Sequence, residues 1–308
     1  MNVLVTGGAG FLGSHLVRAI LDDRLPGLED ATVTVLDKQP WGGRLPEHKR
    51  LEVIPADLRD ATMVATAVRD RDAVVHLADE TGPGAARTNV AGTQIMLDAA
   101  LRNEVPRFLQ VSGAEVYGSI PDGEWTESSP LNPTTPYAAS RAGADLMALA
   151  YHRSHGLPVV VTRAATTYGT HQRPARPLPR LITSLLDGRP ALLADRGRRV
   201  RDWLHVDDHC RALARALQNG RPGEVYHVGG SVELSHRDVV GIILAECGAG
   251  WDRVVPDRDA PTDDQRRALD DVKIRSDLGW IPRVEFTAGL TATIRWYRDH
   301  ADWWRPLL

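Results

Sequence analysis

Short apolar runs alternate along this chain with segments of helical spacing. NVLVTG (2–7), TVTVLD (32–37), LEVIPAD (51–57), AVVHLA (73–78), RFLQVSG (107–113), PVVVTRA (158–164) and EVYHVGG (224–230) each have the length and β-branched content of a buried strand. Between them, residues 11–23 place Phe11, Leu12, His15, Leu16, Ala19 and Ile20 on one helical stripe, and further helical segments fall near 60–70, 89–103 and 137–155. Strands separated by helices predict right-handed βαβ units and an α/β fold with a doubly wound parallel sheet. The texture changes after residue 165, where YGTHQRPARPLPR is rich in proline and basic residues and reads as a loop into a smaller lobe. The pattern therefore predicts a main domain over 1–165, rejoined by a segment at about 203–230, and a second lobe from 166–202 and 231–308. The last 75 or so residues read as helical and charged, and the tryptophans of WYRDHADWWRPLL read as a packing stripe.

Composition narrows the field. The chain has 308 residues, 43% hydrophobic and 25% charged, enough to bury a full core. Its 37 Lys and Arg nearly balance 40 Asp and Glu, for a net charge of −3, so no field favours nucleic acid or an anionic membrane surface. No apolar run approaches the roughly 20 residues that span a bilayer. The start, MNVLVTGGAGFLG, lacks a basic leader and is broken early by glycine, so no signal peptide is expected. Two cysteines, Cys210 and Cys247, both in helical segments, suit a reducing cytoplasm.

The first candidate chemistry is TGGAGFLG, which leaves the first strand and opens the first helix. Gly7, Gly10 and Gly13 fall where a dinucleotide fold needs a tight turn, a close approach of pyrophosphate to backbone, and close helix–strand packing. Phe11 and Leu12 then sit in the first turn of a helix whose free N–H groups suit phosphates. Asp37 ends the second strand at the distance where a carboxylate grips a ribose 2′-hydroxyl, with Lys38 beside it; a carboxylate there favours NAD over NADP. Asp57 and Leu58, at the end of the third strand, suit the adenine, and Leu77 and Ala78 end the fourth strand beside the same cleft.

EVYGS (115–119), WTESSPLNPTTPYAAS (125–140) and RRVRDWLHVDDHCRAL (198–213), with VTGGAGFLGSH, TNVAGT and YHVGG around them, resemble the extended short-chain dehydrogenases/reductases. Within that group the similarity is greatest to the dTDP-glucose 4,6-dehydratases and runs nearly end to end. The resemblance implies NAD as cofactor, with Asn89 and Val111 among the residues around it, and a nucleotide-diphosphate sugar as substrate. It implies transient oxidation at sugar C4, with Tyr137 taking the 4-hydroxyl proton. Arg141 stands one helical turn on, where the family has a Lys that lowers the tyrosine pKa; an Arg keeps the charge and is expected to do the same. The family's Thr-Asp-Glu triplet reads Gly113, Ala114, Glu115 here, so Glu115 remains as a C5 base while the acid for the 6-hydroxyl is missing. Ser112 points to the opposite face by strand alternation. Asp79, Glu80 or a water are the candidates to replace that acid.

The same resemblance makes Glu80, Thr81, Thr166, Arg201 and Arg266 candidate substrate contacts, the arginines for the diphosphate. The segment GPGAAR before Asn89 is shorter than in the family, and Thr166 stands in place of an Asn. His205, Asp207 and Asp208 read as a helix cap, and no metal is expected. The family habit is a homodimer formed through the helices near 89–103 and 137–155. The leading function is a 4,6-dehydratase, ahead of a 4-epimerase, which needs no acid at C6, and of a C5-directed elimination or epimerisation. A dehydrogenase that releases NADH, and a binder without catalysis, stand behind these.

Overall fold

A computed structural model describes residues 1–38, 45–230, 232–259 and 264–308. Its centre is a seven-stranded parallel sheet in the order β10-β6-β5-β4-β1-β2-β3. The strands are β1 (Asn2–Thr6), β2 (Thr32–Asp37), β3 (Leu51–Pro55), β4 (Ala73–His76), β5 (Phe108–Gly113), β6 (Val159–Ala164) and β10 (Val225–Val228). The apolar runs make these strands because both faces of the sheet are covered, so alternation of polar and apolar residues is not needed. Val3 and Val5 face one layer, formed by α1 (Phe11–Leu21), α6 (Val206–Asn219) and α8 (Val272–Leu278). Leu4 faces the other, formed by α2 (Ala61–Val68), α3 (Thr93–Arg102) and α4 (Pro136–His155). The strand order reverses between β1 and β4, which opens the crevice where such sheets bind ligands.

Beyond β6 the chain builds smaller sheets. Strand β9 (Val200–His205) pairs in parallel with β7 (Thr166–Tyr168) and β13 (Arg266–Arg267), and antiparallel with β11 (Val232–Ser235). Strands β8 (Ala191–Ala194) and β12 (Val254–Asp257) form a separate parallel pair. With α5 (Pro177–Leu186), α7 (His236–Cys247), α9 (Phe286–Asp299) and α10 (Ala301–Trp304) they enclose a third core around Tyr168, Trp203, Ile243, Phe286, Leu290 and Trp304. The reading of the last 75 or so residues as helical is thus corrected: four helices lie there, with the short strands β12 and β13 among them. β11, β12 and β13 are two to four residues long, too short for a period-2 signal, and are held by pairing with distant partners.

Local signals at the start of α4 fix the position of Tyr137. Thr135 caps the helix by accepting from the Ala138 N–H at 3.1 Å, and Pro136 opens the first turn. The segment leading into α3 starts as a π-helical turn over Arg87–Gly92, which the helical periodicity near 89–103 did not distinguish.

Candidate active site

The glycine turn is built for a close approach. Gly7 has φ +67°, and a Cβ there would lie 2.8 Å from the Ala78 Cα. A Cβ on Gly13 would stand 2.3 Å from the Gly7 carbonyl oxygen and 2.7 Å from the Gly8 Cα. Asp37 accepts a hydrogen bond from the Ala9 N–H at 3.0 Å and so ties the turn to the end of β2. Gly10 caps α1 without a side chain, and no acidic residue lies in the first turn of that helix. Phe11 and Leu12 occupy that turn, half-buried against the core. A cradle that any Cβ would fill, at an uncapped helix N-terminus, fits the pyrophosphate of a dinucleotide.

Other candidates in this half are engaged with the protein. Asp57 is bound by Arg59 through both carboxylate oxygens, which holds its pKa down at about 2. Leu58 is buried, and a Cβ on Gly92 would meet its Cβ at 3.1 Å. The N–H groups of Leu77 and Ala78 both donate to the Thr6 hydroxyl at 3.2 Å. Lys38 lies 3.2 Å from Glu80, whose carboxylate also accepts from Thr88 at 2.5 Å. Asn89 is buried; it accepts from the Glu80 N–H and donates to the Glu80 carbonyl and to Ser140. Glu80, placed among the substrate contacts by sequence, is thus turned toward Lys38 and the turn before α3. Thr81 beside it is exposed.

At the crevice, four polar side chains converge from three elements. Tyr137 and Arg141, one turn apart on α4, both donate to Oδ2 of Asp79, which follows β4; the Arg141 Nη1 contact is 2.8 Å. Arg141 Nε lies 3.4 Å from Glu115, in the 3-10 turn after β5, and its Nη2 donates to the Val111 carbonyl at 3.2 Å. Glu115 reaches Arg141 because position 113 is glycine: a Cβ there would stand 2.3 Å from Oε2 of Glu115. Ala114 is buried and its methyl group has no acidic proton to give. Ser112, on the opposite face of β5, lies near Asp145.

The electrostatics correct one expectation. Arg141 does pull the Tyr137 pKa down, but burial is the larger effect, and Asp79 and Glu115 add to it. The net shift is well above the ordinary tyrosine value, so the phenol keeps its proton. Burial disfavours the charge on Arg141, yet the anionic groups around it outweigh that and hold it protonated.

The second lobe also departs from expectation. Arg201 is buried, and its guanidinium donates to the carbonyls of Val200, Gln265 and Asp264, at 2.7, 3.3 and 2.8 Å. That fork pins the strand pair β9–β13 rather than standing open toward a diphosphate. Arg266 makes a two-pronged pair with Glu233 at 2.9 and 2.7 Å and donates to the Gly123 carbonyl. Thr166 is half-buried at the start of β7, opposite Trp203. His205 does cap α6, accepting from the Asp207 N–H, and Asp208 accepts from the N–H groups of Arg283 and Val284. Among the described residues no cluster of three His, Cys, Asp or Glu side chains is placed to hold a metal.

Comparison with known proteins settles the family. The model of the NAD dependent epimerase/dehydratase family matches residues 3–229. The chain belongs to that family. It is 47% identical over 323 residues to a dTDP-glucose 4,6-dehydratase of Streptomyces niveus, covering 100% of this chain and 96% of the relative. A second relative named dTDP-glucose 4,6-dehydratase, from Streptomyces antibioticus, is 48% identical over 319 residues, covering 100% and 95%. The fold superimposes with TM-score 0.96 on a double mutant of the dTDP-glucose 4,6-dehydratase of Streptomyces venezuelae crystallised with NAD, at 45% identity over all of both chains. A UDP-glucose 4-epimerase of Thermus thermophilus, also with NAD, is more distant, at TM-score 0.87 and 30% identity over 97% of this chain and all of that one.

Sequence reasoning named Tyr137, Arg141 and Glu115, and the structure brings them together. It missed Asp79 as their direct partner and listed it only among possible acids. The signal was present: an acidic residue at the C-terminal end of a sheet strand, where open α/β sheets place their ligands.

Proposed function

We propose that this chain is an NAD-dependent 4,6-dehydratase of a nucleotide-diphosphate hexose of the dTDP-glucose kind. The observation that carries the reading is Glu115 held beside Tyr137 through Arg141. A 4-epimerase needs only the proton group at O4. A carboxylate in the same crevice adds a base for the C5 proton, which elimination requires. The glycine cradle, the α1 N-terminus and Asp37 would hold NAD, which when bound takes up and later returns the hydride exchanged with the sugar. Tyr137 Oη meets the 4-hydroxyl and manages its proton. Glu115 removes the C5 proton and returns it after water has left. Arg141 orients both groups, since it touches the partner of one and the carboxylate of the other. Because cofactor oxidation and reduction balance within a turnover, NAD is not consumed, unlike in a dehydrogenase that releases NADH.

Two further attributes belong to this reading. The chain pairs with a second copy through α3 and α4, where Leu146 stands 55% exposed; light scattering of the parent against Leu146→Asp tests it. It works in a reducing cytoplasm, consistent with two free cysteines and with the lack, among the described residues, of a helix able to cross a membrane. The function itself is tested by incubating the protein with a panel of nucleotide hexoses and NAD and analysing products by mass and proton NMR. Loss of one water supports the reading. Unchanged mass with inversion at C4 would overturn it in favour of the epimerase, the reading that the alanine at 114 favours.

A further inference from the structure

Proton balance poses a specific problem in this site. Over one dehydration a proton is released from O4 and one is consumed when O6 leaves as water, while the C5 proton is borrowed and restored. Residue 114 is a buried alanine and supplies nothing to O6. Asp79, by contrast, has one oxygen that accepts from both Tyr137 Oη and Arg141 Nη1. The Tyr137 proton is therefore already directed at a carboxylate, and the second donor keeps that carboxylate in place. Its side chain retains 28% exposure, so it is not sealed off by its two donors.

We infer that Asp79 is the proton store of this site: through Tyr137 it receives the proton released at O4, and it delivers that proton to the departing O6. This rests on the dehydratase reading. As the O4–H bond breaks, its proton moves to Tyr137 Oη and the phenol's own proton moves to Asp79 Oδ2. The O4 electron pair forms the C4 carbonyl while the C4–H pair leaves as hydride to the nicotinamide cofactor. Glu115 then takes the C5 proton, C5=C6 forms, the C6–O6 bond breaks, and O6 takes the Asp79 proton to leave as water. Hydride returns to C6 and the Glu115 proton to C5. Asp79, Tyr137 and Glu115 end as they began. In this arrangement a tyrosine with a raised pKa is suited to its task, because it passes a proton on and never has to persist as a phenolate. The charged and titratable groups that face Asp79 are Tyr137 and Arg141 from α4, Glu115 beyond Arg141, and His76 from the end of β4.

The test uses the full-length protein as parent, Asp79→Asn and Asp79→Glu, with Tyr137→Phe as spectroscopic reference. First, ultraviolet difference titration without cofactor reads Tyr137 ionisation. Asp79→Asn is expected to lower the Tyr137 pKa by removing the carboxylate it donates to; an unmoved titration overturns the receiving half of the inference. Second, the rate of cofactor reduction in a single turnover is followed against pH with dTDP-glucose. The parent is expected to be flat from neutral to mildly alkaline pH, and Asp79→Asn to be slower at neutral pH and to rise about tenfold per pH unit, as for an unassisted phenol. Third, water loss in Asp79→Asn is expected to fall by ~10²–10⁴-fold, the range of a lost general acid, with oxidised sugar retaining O6, and Asp79→Glu to restore part of it. An Asn variant that dehydrates at the parent's rate with the parent's pH profile overturns the inference and leaves the dehydratase reading standing. A parent that removes water from no nucleotide hexose overturns that reading and the delivery half with it, while the titration still decides the receiving half.

Discussion

Gly113→Ala separates the role of the Glu115 position from the stability of the fold. A Cβ at 113 would lie 2.3 Å from Oε2, 2.9 Å from Cδ and 2.9 Å from Oε1 of Glu115, so every clash is with the end of one flexible side chain. Ordinary contact begins at 3.4 Å, so the carboxylate must shift by about 1 Å from its present place, where Oε1 lies 3.4 Å from Arg141 Nε. The backbone tolerates alanine, since Gly113 has extended angles of φ −144° and ψ 168°. Removing a strand glycine stabilises by roughly 0.5–1 kcal/mol. Losing a partly exposed ion pair costs about 0–1 kcal/mol. The two nearly cancel, and thermal unfolding is expected to stay within a few degrees of the parent, at about 2–4 °C per kcal/mol for a chain of this order of size. Catalysis responds differently, because a misplacement of ~1 Å at a reacting group costs on the order of 10²-fold. In a stopped-flow single turnover, the reduced-cofactor absorbance should appear at the parent's rate and then decay about 10²-fold more slowly, as C5 deprotonation becomes limiting. A variant that decays at the parent's rate would refute the placement of Glu115 as the C5 base; one destabilised by several kcal/mol would refute the steric argument.

Three other outcomes follow from the same geometry. Gly13→Ala sets a Cβ against backbone atoms that cannot rotate away, and is expected to lose about 1–3 kcal/mol and most of the thermal shift that saturating NAD gives the parent; calorimetry with and without NAD checks both. Asp145 is fully buried and pairs with Arg163 at 2.9 Å; Arg163 in turn donates to Tyr117, which bonds His227. Asp145→Ala strands a buried guanidinium and should cost about 3–5 kcal/mol in urea unfolding, whereas Arg163→Met with Asp145→Leu should recover much of it. Burial holds three histidines neutral, with His76 lowered to about 4 and His209 and His227 to about 3, from 6.5. The unfolded chain therefore binds more protons below pH 6.5, and stability should fall as pH drops from there toward 4, by up to about 1.4 kcal/mol per pH unit for each histidine. Urea midpoints equal at pH 7.5 and 5.5 would contradict this.

The main sheet was legible because its signals are local. Each buried strand is one apolar run, and the glycine turn, Thr135 and Pro136 act on their immediate neighbours. The small sheets were not, because β13 is two residues whose pairing with Val200 and Arg201 is decided across more than sixty positions. The same holds within the site. Tyr137, Arg141 and Glu115 are near enough in sequence to read from their motifs, but Asp79 meets Tyr137 across 58 positions. The direction of the Tyr137 pKa also needs the fold, since the cation one turn away is visible in the sequence while the burial and the two carboxylates that outweigh it are not. Arg201 was expected to face the substrate because the family resemblance places a diphosphate-binding arginine there, yet three backbone carbonyls hold it inside.

In the proposed reaction one hydride leaves C4 and returns to the same sugar at C6. This transfer is tested most directly with dTDP-glucose deuterated at C4, incubated with the protein and unlabelled NAD, and followed by NMR of the product. The expected product is short of one water, with the deuterium at C6 and no net reduced cofactor. Deuterium recovered at C4 of an inverted sugar, or found on released NADH, would contradict it.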